Sequence, residues 1–343
     1  TWRFRIMSEL RINNITDRVG SSGPIIAGVS TVTSTSHMVM PSGPTEMRGG
    51  RGRGVFAGGN NPSVQNAMDF VTIATTGNAT DFGDLSYGAY NLGGCASATR
   101  GIWFAGYDLS ATTNSIFYVT ISSQGGVNDF GDTLAASQNH SAACSNSTRA
   151  VRAQGSFVPG SSNVLEFITI DTTGDSTNFG DLPRTGVFSM KGSFASSTRG
   201  IFGGGKGPDT NQIDFITIST TGNALDFGDL LSETAEGSGC SNTTRGLFMS
   251  GSGPLDNNII EFITIATLGN SQDFGDLSQS TEAAGCCASS TRGLAAGGTT
   301  PTKINTIEFV TISTTGNAQD FGDRTVTGYG VGGLSDVHGG LGD

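Results

Sequence analysis

Six copies of one sequence pattern recur along the chain. The last copy begins with the apolar run Ile-Glu-Phe-Val-Thr-Ile at residues 307–312, passes a Thr-Thr-Gly turn and ends in Asp-Phe-Gly-Asp. Successive Phe-Gly-Asp groups lie 48, 49, 48, 47 and 47 residues apart. A fixed period of this length indicates a repeat architecture, in which each unit buries its faces against its neighbours. The repeated phenylalanines are Phe82, Phe130, Phe179, Phe227, Phe274 and Phe321.

The composition indicates many short strands joined by tight turns, because glycine supplies 53 of 343 residues and only 14% of the chain is charged. The net charge of −11 opposes binding to a phosphate backbone, and the repeats contain no Lys/Arg cluster. No apolar stretch is long enough for a membrane-spanning helix, and the first residues lack the apolar core of a signal peptide. We therefore predict no nucleic-acid binding, no membrane insertion and no signal peptide.

Each repeat reads as four short strands, which we label A to D. Strand B begins at an Arg-Gly pair and ends in small residues, as at residues 53–59. Strand C, as at residues 260–265, has apolar residues in both alternating sets, so both of its faces should be covered. A glycine turn leads to the short strand D with Asp-Phe-Gly-Asp, and strand A, as at residues 93–97, leads to the next Arg-Gly. The pattern predicts four antiparallel strands per unit.

The strand count predicts six blades and a closing strand. Strands B, C and D each occur six times, but only five A strands lie between them. Asp84 lies 16 residues before Arg100, and Asp323 lies 16 residues before Gly339, so the C-terminal segment aligns with an A strand. We predict an all-β, six-bladed ring over residues 49–343, in which residues 329–340 complete blade one and pin the two ends together.

The double-glycine strand B, the aromatic strand C and the aromatic-bearing strand D resemble the kelch repeat over residues 53–340. Phe stands where kelch repeats usually carry Tyr on the third strand and Trp on the fourth, so the unit is a divergent one. The resemblance implies a β-propeller of four-stranded blades, in which no long sheet edge is left open.

Four of the five cysteines share one repeat position, five residues before the arginine that opens the next strand B. Two other copies carry Phe194 and Leu334 at this position, which is therefore a core position. A free cysteine behaves as a small buried hydrophobe, and equivalent positions of neighbouring units lie too far apart for disulfides. The adjacent pair Cys286-Cys287 gives no metal-binding signal. The cysteines at the shared position are Cys95, Cys144, Cys240 and Cys287.

Residues 1–48 differ in texture from the repeats and are predicted to form an N-terminal leader. We interpret Met7 as the natural start. Short apolar runs at residues 25–27 and 37–40 predict strands that cannot bury themselves alone. The leader is interpreted as an attachment or oligomerisation segment, with an unstructured terminus as the alternative.

Loop lengths distinguish the two faces of the predicted disc. The C-to-D connection is constant, with nine residues from the last Ile of strand C to the repeated Phe. Length changes fall in the D-to-A and B-to-C connections, which emerge together on the other face. Variable loops on a rigid scaffold commonly carry binding sites, and their aromatic, Asn and Asp side chains suit sugar rings and hydroxyls, although ordinary solvated turns are the alternative. The candidate ligand-binding residues are Asn60, Asn61, Tyr87, Tyr90, Tyr107, Asp108, His140, Arg184, Lys206, Asp209, Asp256, Asn257 and Tyr329.

The repeat also accounts for groups that resemble catalytic chemistry. The Arg-Gly arginines and the Phe-Gly-Asp aspartates occur six times, so we expect their side chains to cap turns or to join blades. His37, His140 and His338 stand in different contexts and predict no copper or zinc cluster. Asp81 and Asp84 lack the remaining ligands of an EF-hand, and the scattered carboxylates form no evident acid/base pair. We predict no catalytic residue, no metal and no cofactor.

A second resemblance covers nearly the whole chain from Met7. The segments at residues 7–15 and 39–46, and the repeated Thr-Thr-Gly-Asn-Ala-x-Asp-Phe-Gly-Asp-Leu and Thr-Arg-Gly-Ile-Phe units, are similar to virion structural proteins of contractile-tailed marine cyanophages, many described as tail-fibre-like. This resemblance implies a virion protein, made in the host cytoplasm, whose leader docks to other virion proteins and whose propeller binds a host-surface glycan or receptor. A capsid or tail decoration protein without a ligand is the alternative, and a sugar-active enzyme is a third hypothesis. A homo-oligomer is compatible with each of them.

Overall fold

The computed structural model describes residues 52–342 apart from gaps at 105, 108–112, 138–141, 154, 158–159, 185–188 and 255–257. The predicted leader and its boundary at residue 48 lie outside the described residues, so both stay predictions. In the described part of the chain, no helix is both long and apolar enough to span a membrane.

The predicted six-bladed β-propeller is confirmed. Six sheets of four antiparallel strands follow one another, with strand orders β28-β1-β2-β3, β4-β5-β6-β7, β8-β9-β12-β13, β14-β15-β16-β17, β18-β19-β20-β21 and β22-β23-β26-β27 for blades 1 to 6. The first strand in each order is strand A and the last is strand D. Two short hairpins, β10-β11 and β24-β25, lie in the B-to-C loops of blades 3 and 6.

The strands are β1 (Arg53–Ala57), β2 (Ala67–Thr72), β3 (Thr80–Asp84), β4 (Gly93–Ala96), β5 (Arg100–Phe104), β6 (Thr113–Thr120), β7 (Asn128–Ser137), β8 (Ala142–Ser145), β9 (Arg149–Ala153), β10 (Ser156–Phe157), β11 (Gly160–Ser161), β12 (Val164–Thr169), β13 (Thr177–Asp181), β14 (Gly192–Ala195), β15 (Arg199–Gly205), β16 (Thr210–Thr217), β17 (Leu225–Asp229), β18 (Ser238–Ser241), β19 (Arg245–Met249), β20 (Ile259–Thr264), β21 (Gln272–Asp276), β22 (Gly285–Ala288), β23 (Arg292–Ala296), β24 (Thr299–Thr300), β25 (Thr302–Lys303), β26 (Thr306–Thr311), β27 (Gln319–Asp323) and β28 (Gly332–Ser335). A single turn of 3-10 helix, Gly339–Leu341, follows β28.

The C-terminal segment closes the ring as predicted. Strand β28 pairs antiparallel with β1, with Leu334 opposite Val55, and thereby supplies strand A of blade 1. It also contacts β22 of blade 6 and β4 of blade 2, so the six A strands form an unbroken inner ring. Trp103 Nε1–H of blade 2 donates to the Gly332 carbonyl at 3.2 Å, which ties the closing strand to the next blade.

The Phe-Gly-Asp group is a joint between blades. The N–H of Gly125, in the C-to-D turn of blade 2, donates to the Phe82 carbonyl of blade 1 at 2.8 Å. A Cβ atom on Gly83 would lie 2.3 Å from the Gly125 carbonyl oxygen, so only glycine permits this approach. Equivalent bonds recur at all six blade junctions and form a belt around the disc. This belt explains why the C-to-D connection has a constant length.

The repeated arginines join neighbouring blades, as expected. Arg53 stacks on Phe70 of its own blade at 4.6 Å, and its Nη1–H donates to the Ile121 carbonyl of the next blade at 2.8 Å. The repeated aspartates differ from expectation, because their main chain makes the interblade contacts: the Asp84 carbonyl, for example, accepts from Val127 N–H at 3.1 Å. The other arginines with the same two contacts are Arg100, Arg149, Arg199, Arg245 and Arg292.

The shared cysteine position is a core position between blades, and all five thiols are free and buried. Burial raises the pKa of Cys95 to about 12, so this thiol stays protonated and unreactive near neutral pH. The side chain at this position points at the residue after the arginine of the next blade: Cys144 faces Gly200, and Phe194 faces Gly246. Where Cys95 occupies the position, the facing residue is Ala150 in the same core cluster.

We expect Gly246→Ala to destabilise the ring by about 1–3 kcal/mol or more, because overpacking a filled core forces side chains out of their rotamers. A Cβ atom at residue 246 would lie 1.8 Å from Phe194 Cε2. The measurement is urea unfolding followed by circular dichroism.

The double variant Phe194→Cys/Gly246→Ala reproduces the natural pair Cys95/Ala150 and serves as the matched comparison. Its loss of stability should be clearly smaller than the sum of the losses in Phe194→Cys and in Gly246→Ala. The smaller side chain at residue 194 leaves room for the new Cβ atom, so the two substitutions are coupled. Additive losses would show that Phe194 and Gly246 do not constrain each other.

Candidate ligand-binding face

The strand order defines two different faces of the disc. The A-to-B and C-to-D turns emerge on one face, the framework face, and the B-to-C and D-to-A loops emerge on the other, the variable face. The chain enters the ring at Gly52, whose carbonyl accepts from Ile73 N–H at 2.8 Å. It leaves after β28 on the same face, where Asp336 Oδ1 accepts from Arg53 N–H at 2.8 Å. Both ends of the described ring therefore lie on the framework face, opposite the variable loops.

The axis of the ring is closed on the framework side. Cavities of about 50 and 60 Å³ lie between the A strands. His338 Nε2–H donates to the Ala96 carbonyl at 2.8 Å, and the 3-10 helix packs against β8, β14 and β18. Burial lowers the pKa of His338, and the bond to Ala96 opposes this shift. Cavities of this size hold a few water molecules rather than a sugar ring.

A chain of main-chain hydrogen bonds links five of the six D-to-A loops on the variable face. Each donor is in a D-to-A loop, each acceptor is in the corresponding loop of the preceding blade, and the distances are 2.7 to 2.9 Å. The five residues have φ between 50° and 71°, a region that non-glycine residues adopt only where their surroundings hold them. The variable loops are thus fixed where they meet the ring. The residues, from donor to acceptor, are Asn91, Gly330, Ala283, Glu236 and Ser189.

Three of the candidate tyrosines meet on the variable face, at the junction of blades 1, 2 and 6. The ring centroids of Tyr90 and Tyr107 are 5.7 Å apart, and those of Tyr90 and Tyr329 are also 5.7 Å apart. Tyr90 and Tyr107 exchange main-chain hydrogen bonds of 3.2 and 3.0 Å, and the Tyr329 carbonyl accepts from Asn60 N–H at 3.0 Å. Burial and then the neighbouring tyrosines raise the pKa of Tyr90. We name Tyr90, Tyr107 and Tyr329 the tyrosine cluster; its rings remain partly exposed.

Polar groups border the tyrosine cluster. Asn61 Nδ2–H donates to Thr327 Oγ1 beside it. Asn60 is buried, and its Oδ1 has no hydrogen-bond partner among the residues that the structure describes. Lys303, in the hairpin β24-β25, holds its Nζ 5.1 Å from the ring centroid of Tyr329. Sequence reasoning missed Lys303, although its place in a B-to-C connection and the rarity of lysine in this chain were both visible. The cluster thus combines aromatic faces, amides and one cation.

The remaining candidate residues lie elsewhere. Tyr87 packs edge-on against Phe117 with centroids 5.2 Å apart, and Arg184 is paired with buried Asp214 at 2.7 Å, so these two side chains are structural. Lys206 forms an ion pair with Glu236 at 3.1 Å near blades 4 and 5, and Asp209 is exposed nearby. Asp108, His140, Asp256 and Asn257 lie outside the described residues.

A ring of buried carboxylates was missed in the sequence. In five of six blades, the residue that follows the first buried apolar residue of strand C is acidic, and each of these residues is at most 6% exposed. Most of these carboxylates accept from a main-chain N–H just beyond strand D of the preceding blade, as where Glu261 accepts from Leu231 N–H at 2.8 Å; Glu166 accepts from Leu134 N–H, within β7, at 2.7 Å. The signal was present as a recurrent acidic residue inside an apolar run. The carboxylates are Asp69, Glu166, Asp214, Glu261 and Glu308.

Four of these carboxylates pair with cations that come from different positions of the repeat. Burial lowers the pKa of Arg152 and of Lys191, and the carboxylates of Glu166 and Glu261 oppose these shifts. Burial also raises the pKa of Asp214, against the attraction of Arg184. The pairs join blades or strands in the interior of the ring. They are Arg324–Asp69, Arg152–Glu166, Arg184–Asp214 and Lys191–Glu261.

The fold and the tyrosine cluster define a six-bladed β-propeller with one uniform face and one face of variable loops. In the described ranges, no group of three or more His, Cys, Asp or Glu side chains is arranged to hold a metal ion. No protein-family model matches the chain, and no curated protein matches it significantly.

Proposed function

We propose that this chain is a non-enzymatic virion protein whose variable face binds a carbohydrate on the host surface during adsorption. The observation that carries the proposal is the tyrosine cluster, in which three partly exposed rings are held by main-chain hydrogen bonds. Aromatic faces stack on the apolar faces of sugar rings, and a preformed site loses little entropy on binding. The virion setting rests on the resemblance of the repeats and of residues 7–15 to cyanophage virion proteins.

The position of the cluster supports an adsorption role. The chain joins the ring on the framework face, and the cluster lies on the opposite face. An attachment made through the residues before Gly52 would therefore leave the cluster accessible. The interblade belt and the arginine contacts make the disc rigid. A rigid disc also suits the alternative of a decoration protein without a ligand.

We expect Tyr90→Ala/Tyr329→Ala to weaken binding to susceptible cells and to their purified surface polysaccharide by roughly tenfold to a hundredfold. Truncating a central aromatic side chain of a binding site typically costs about 2 kcal/mol or more, and about 1.4 kcal/mol corresponds to tenfold. The measurement is saturation binding of the labelled full chain.

Asp209→Ala, an exposed change on the same face, is the matched control and should bind as the unchanged chain does. Equal thermal unfolding of the variants excludes misfolding as the cause. Undiminished binding by the double tyrosine variant would reject the cluster as the site, and no binding of the unchanged chain to susceptible cells would favour the decoration protein. Release of reducing sugar from the polysaccharide would instead indicate a sugar-active enzyme.

A further inference from the structure

We propose that the tyrosine cluster selects an acidic sugar, with Lys303 binding a carboxylate, sulfate or phosphate group of a sugar that packs against the cluster. This inference rests on the proposed function, since it names the ligand class of the same face. Lys303 Nζ lies over the Tyr329 ring, 5.1 Å from its centroid, so a ligand bound at the cluster is within reach of the ammonium.

Lys303 differs from the other basic residues of the described chain. The six repeated arginines donate to carbonyl groups of the next blade. The three further arginines and the other two lysines, Lys191 and Lys206, form ion pairs with carboxylates. The Lys303 ammonium has neither kind of partner among the described residues, where it contacts the Tyr329 ring. Its charge is therefore available to a ligand.

The main chain at Lys303 is fixed beside the tyrosine cluster. Thr299 pairs with Lys303 across the hairpin, and the N–H of Ile304 donates to the Gly298 carbonyl at 3.0 Å. The N–H of Gly328, next to Tyr329, donates to the Ile304 carbonyl at 3.1 Å, which joins the hairpin to the cluster. These bonds fix the main chain from which the Lys303 side chain reaches the Tyr329 ring.

Electrostatics favour an anionic ligand at this place. The chain carries a net charge of −11, so most of its surface repels polyanions and a single cation beside aromatic rings becomes a local discriminator. A hydrogen bond between an ammonium and an anionic group is stronger than one between neutral groups. This difference gives selectivity for charged over uncharged sugars.

The test compares pairs of polysaccharides that differ only in charge: polygalacturonate with its methyl ester, and dextran sulfate with dextran. We expect the full chain to bind the charged member of at least one pair tenfold or more tightly. Lys303→Gln should remove most of that preference, and Lys303→Arg should retain it. Lys206→Gln is the matched control, because it removes a lysine of the same face that is already paired. The preference should shrink as salt rises.

The outcomes separate this inference from the proposed function. Equal binding of the charged and neutral members, lost in Tyr90→Ala/Tyr329→Ala, would overturn the acidic-sugar inference and leave carbohydrate binding in place. Binding of polyanions that survives both Lys303→Gln and the tyrosine changes would overturn it as well, since the attraction would lie elsewhere. Absence of binding to every carbohydrate and to susceptible cells would overturn both.

Discussion

A chain that ends at Gly328 is expected to lose its cooperative unfolding transition. The truncation removes β28, which supplies strand A of blade 1 and contacts blades 2 and 6. It also removes Leu334, whose side chain is buried in the core between blades 1 and 2. Losing one such side chain costs about 2–5 kcal/mol, and domains have a total stability of only about 5–15 kcal/mol. Removing the whole strand should leave no closed ring at 25 °C. Thermal unfolding followed by circular dichroism measures the transition, and size-exclusion chromatography measures whether the chain remains compact.

A chain that ends at Val337 is the matched control. It keeps β28 and the contact of Asp336 with Arg53, but it lacks His338 and the 3-10 helix that cap the axis. It should retain a cooperative transition at a moderately lower temperature. A peptide of residues 329–343, added to the shorter chain, should restore part of the transition. Cooperative unfolding of the shorter chain at the unchanged temperature would show that β28 does not hold the ring closed.

Arg152→Met is expected to destabilise the protein by about 3–5 kcal/mol, because it leaves the buried Glu166 without its cation. Both side chains are fully buried, and the two residues face each other on strands B and C of blade 3. The Glu166 carboxylate also accepts from Leu134 N–H and from Ser176 Oγ–H. Urea unfolding at pH 7 measures the loss.

Blade 2 provides the comparison, because it has Trp103, Phe117 and Val127 where blade 3 has Arg152, Glu166 and Ser176. Transplanting the three apolar residues into blade 3 should cost much less than Arg152→Met alone, since apolar replacement of a buried ion pair is often neutral or stabilising. If the triple variant is destabilised at least as much as Arg152→Met, the hydrogen bond from Leu134 N–H to Glu166 contributes more to stability than the pairing of the Glu166 charge.

Much of the fold was predictable because the six repeats can be compared with one another. Strand order, blade number and the closing role of residues 329–340 follow from period and counting, and each is confirmed. The carboxylates of strand C were missed because an acidic residue in a strand reads as solvent-facing until neighbouring blades cover it. Ring curvature brings Glu166 to Leu134 of the preceding blade, and a repeat period contains no information on that curvature.

The candidate site was predictable only as a set of loops. The face on which Tyr90, Tyr107 and Tyr329 lie followed from loop lengths, but their meeting depends on closure of the ring between blades 6 and 1. Tyr87 and Arg184 come from the same loops and turn inward, to Phe117 and Asp214. Lys303 belongs to the site through its hairpin, which pairs only two residues on each side.

The chain enters and leaves the ring on the same face. This arrangement matters where many copies are attached to one surface. Since residues 52 and 336 both lie on the framework face, copies fixed side by side through either end would all turn their tyrosine clusters outward. Several weak contacts on one surface then act as one tight contact, because each bound copy raises the effective concentration of the next. Under the proposed carbohydrate binding, a site of modest affinity would be sufficient to hold many attached copies on a host surface, while each single copy could still dissociate.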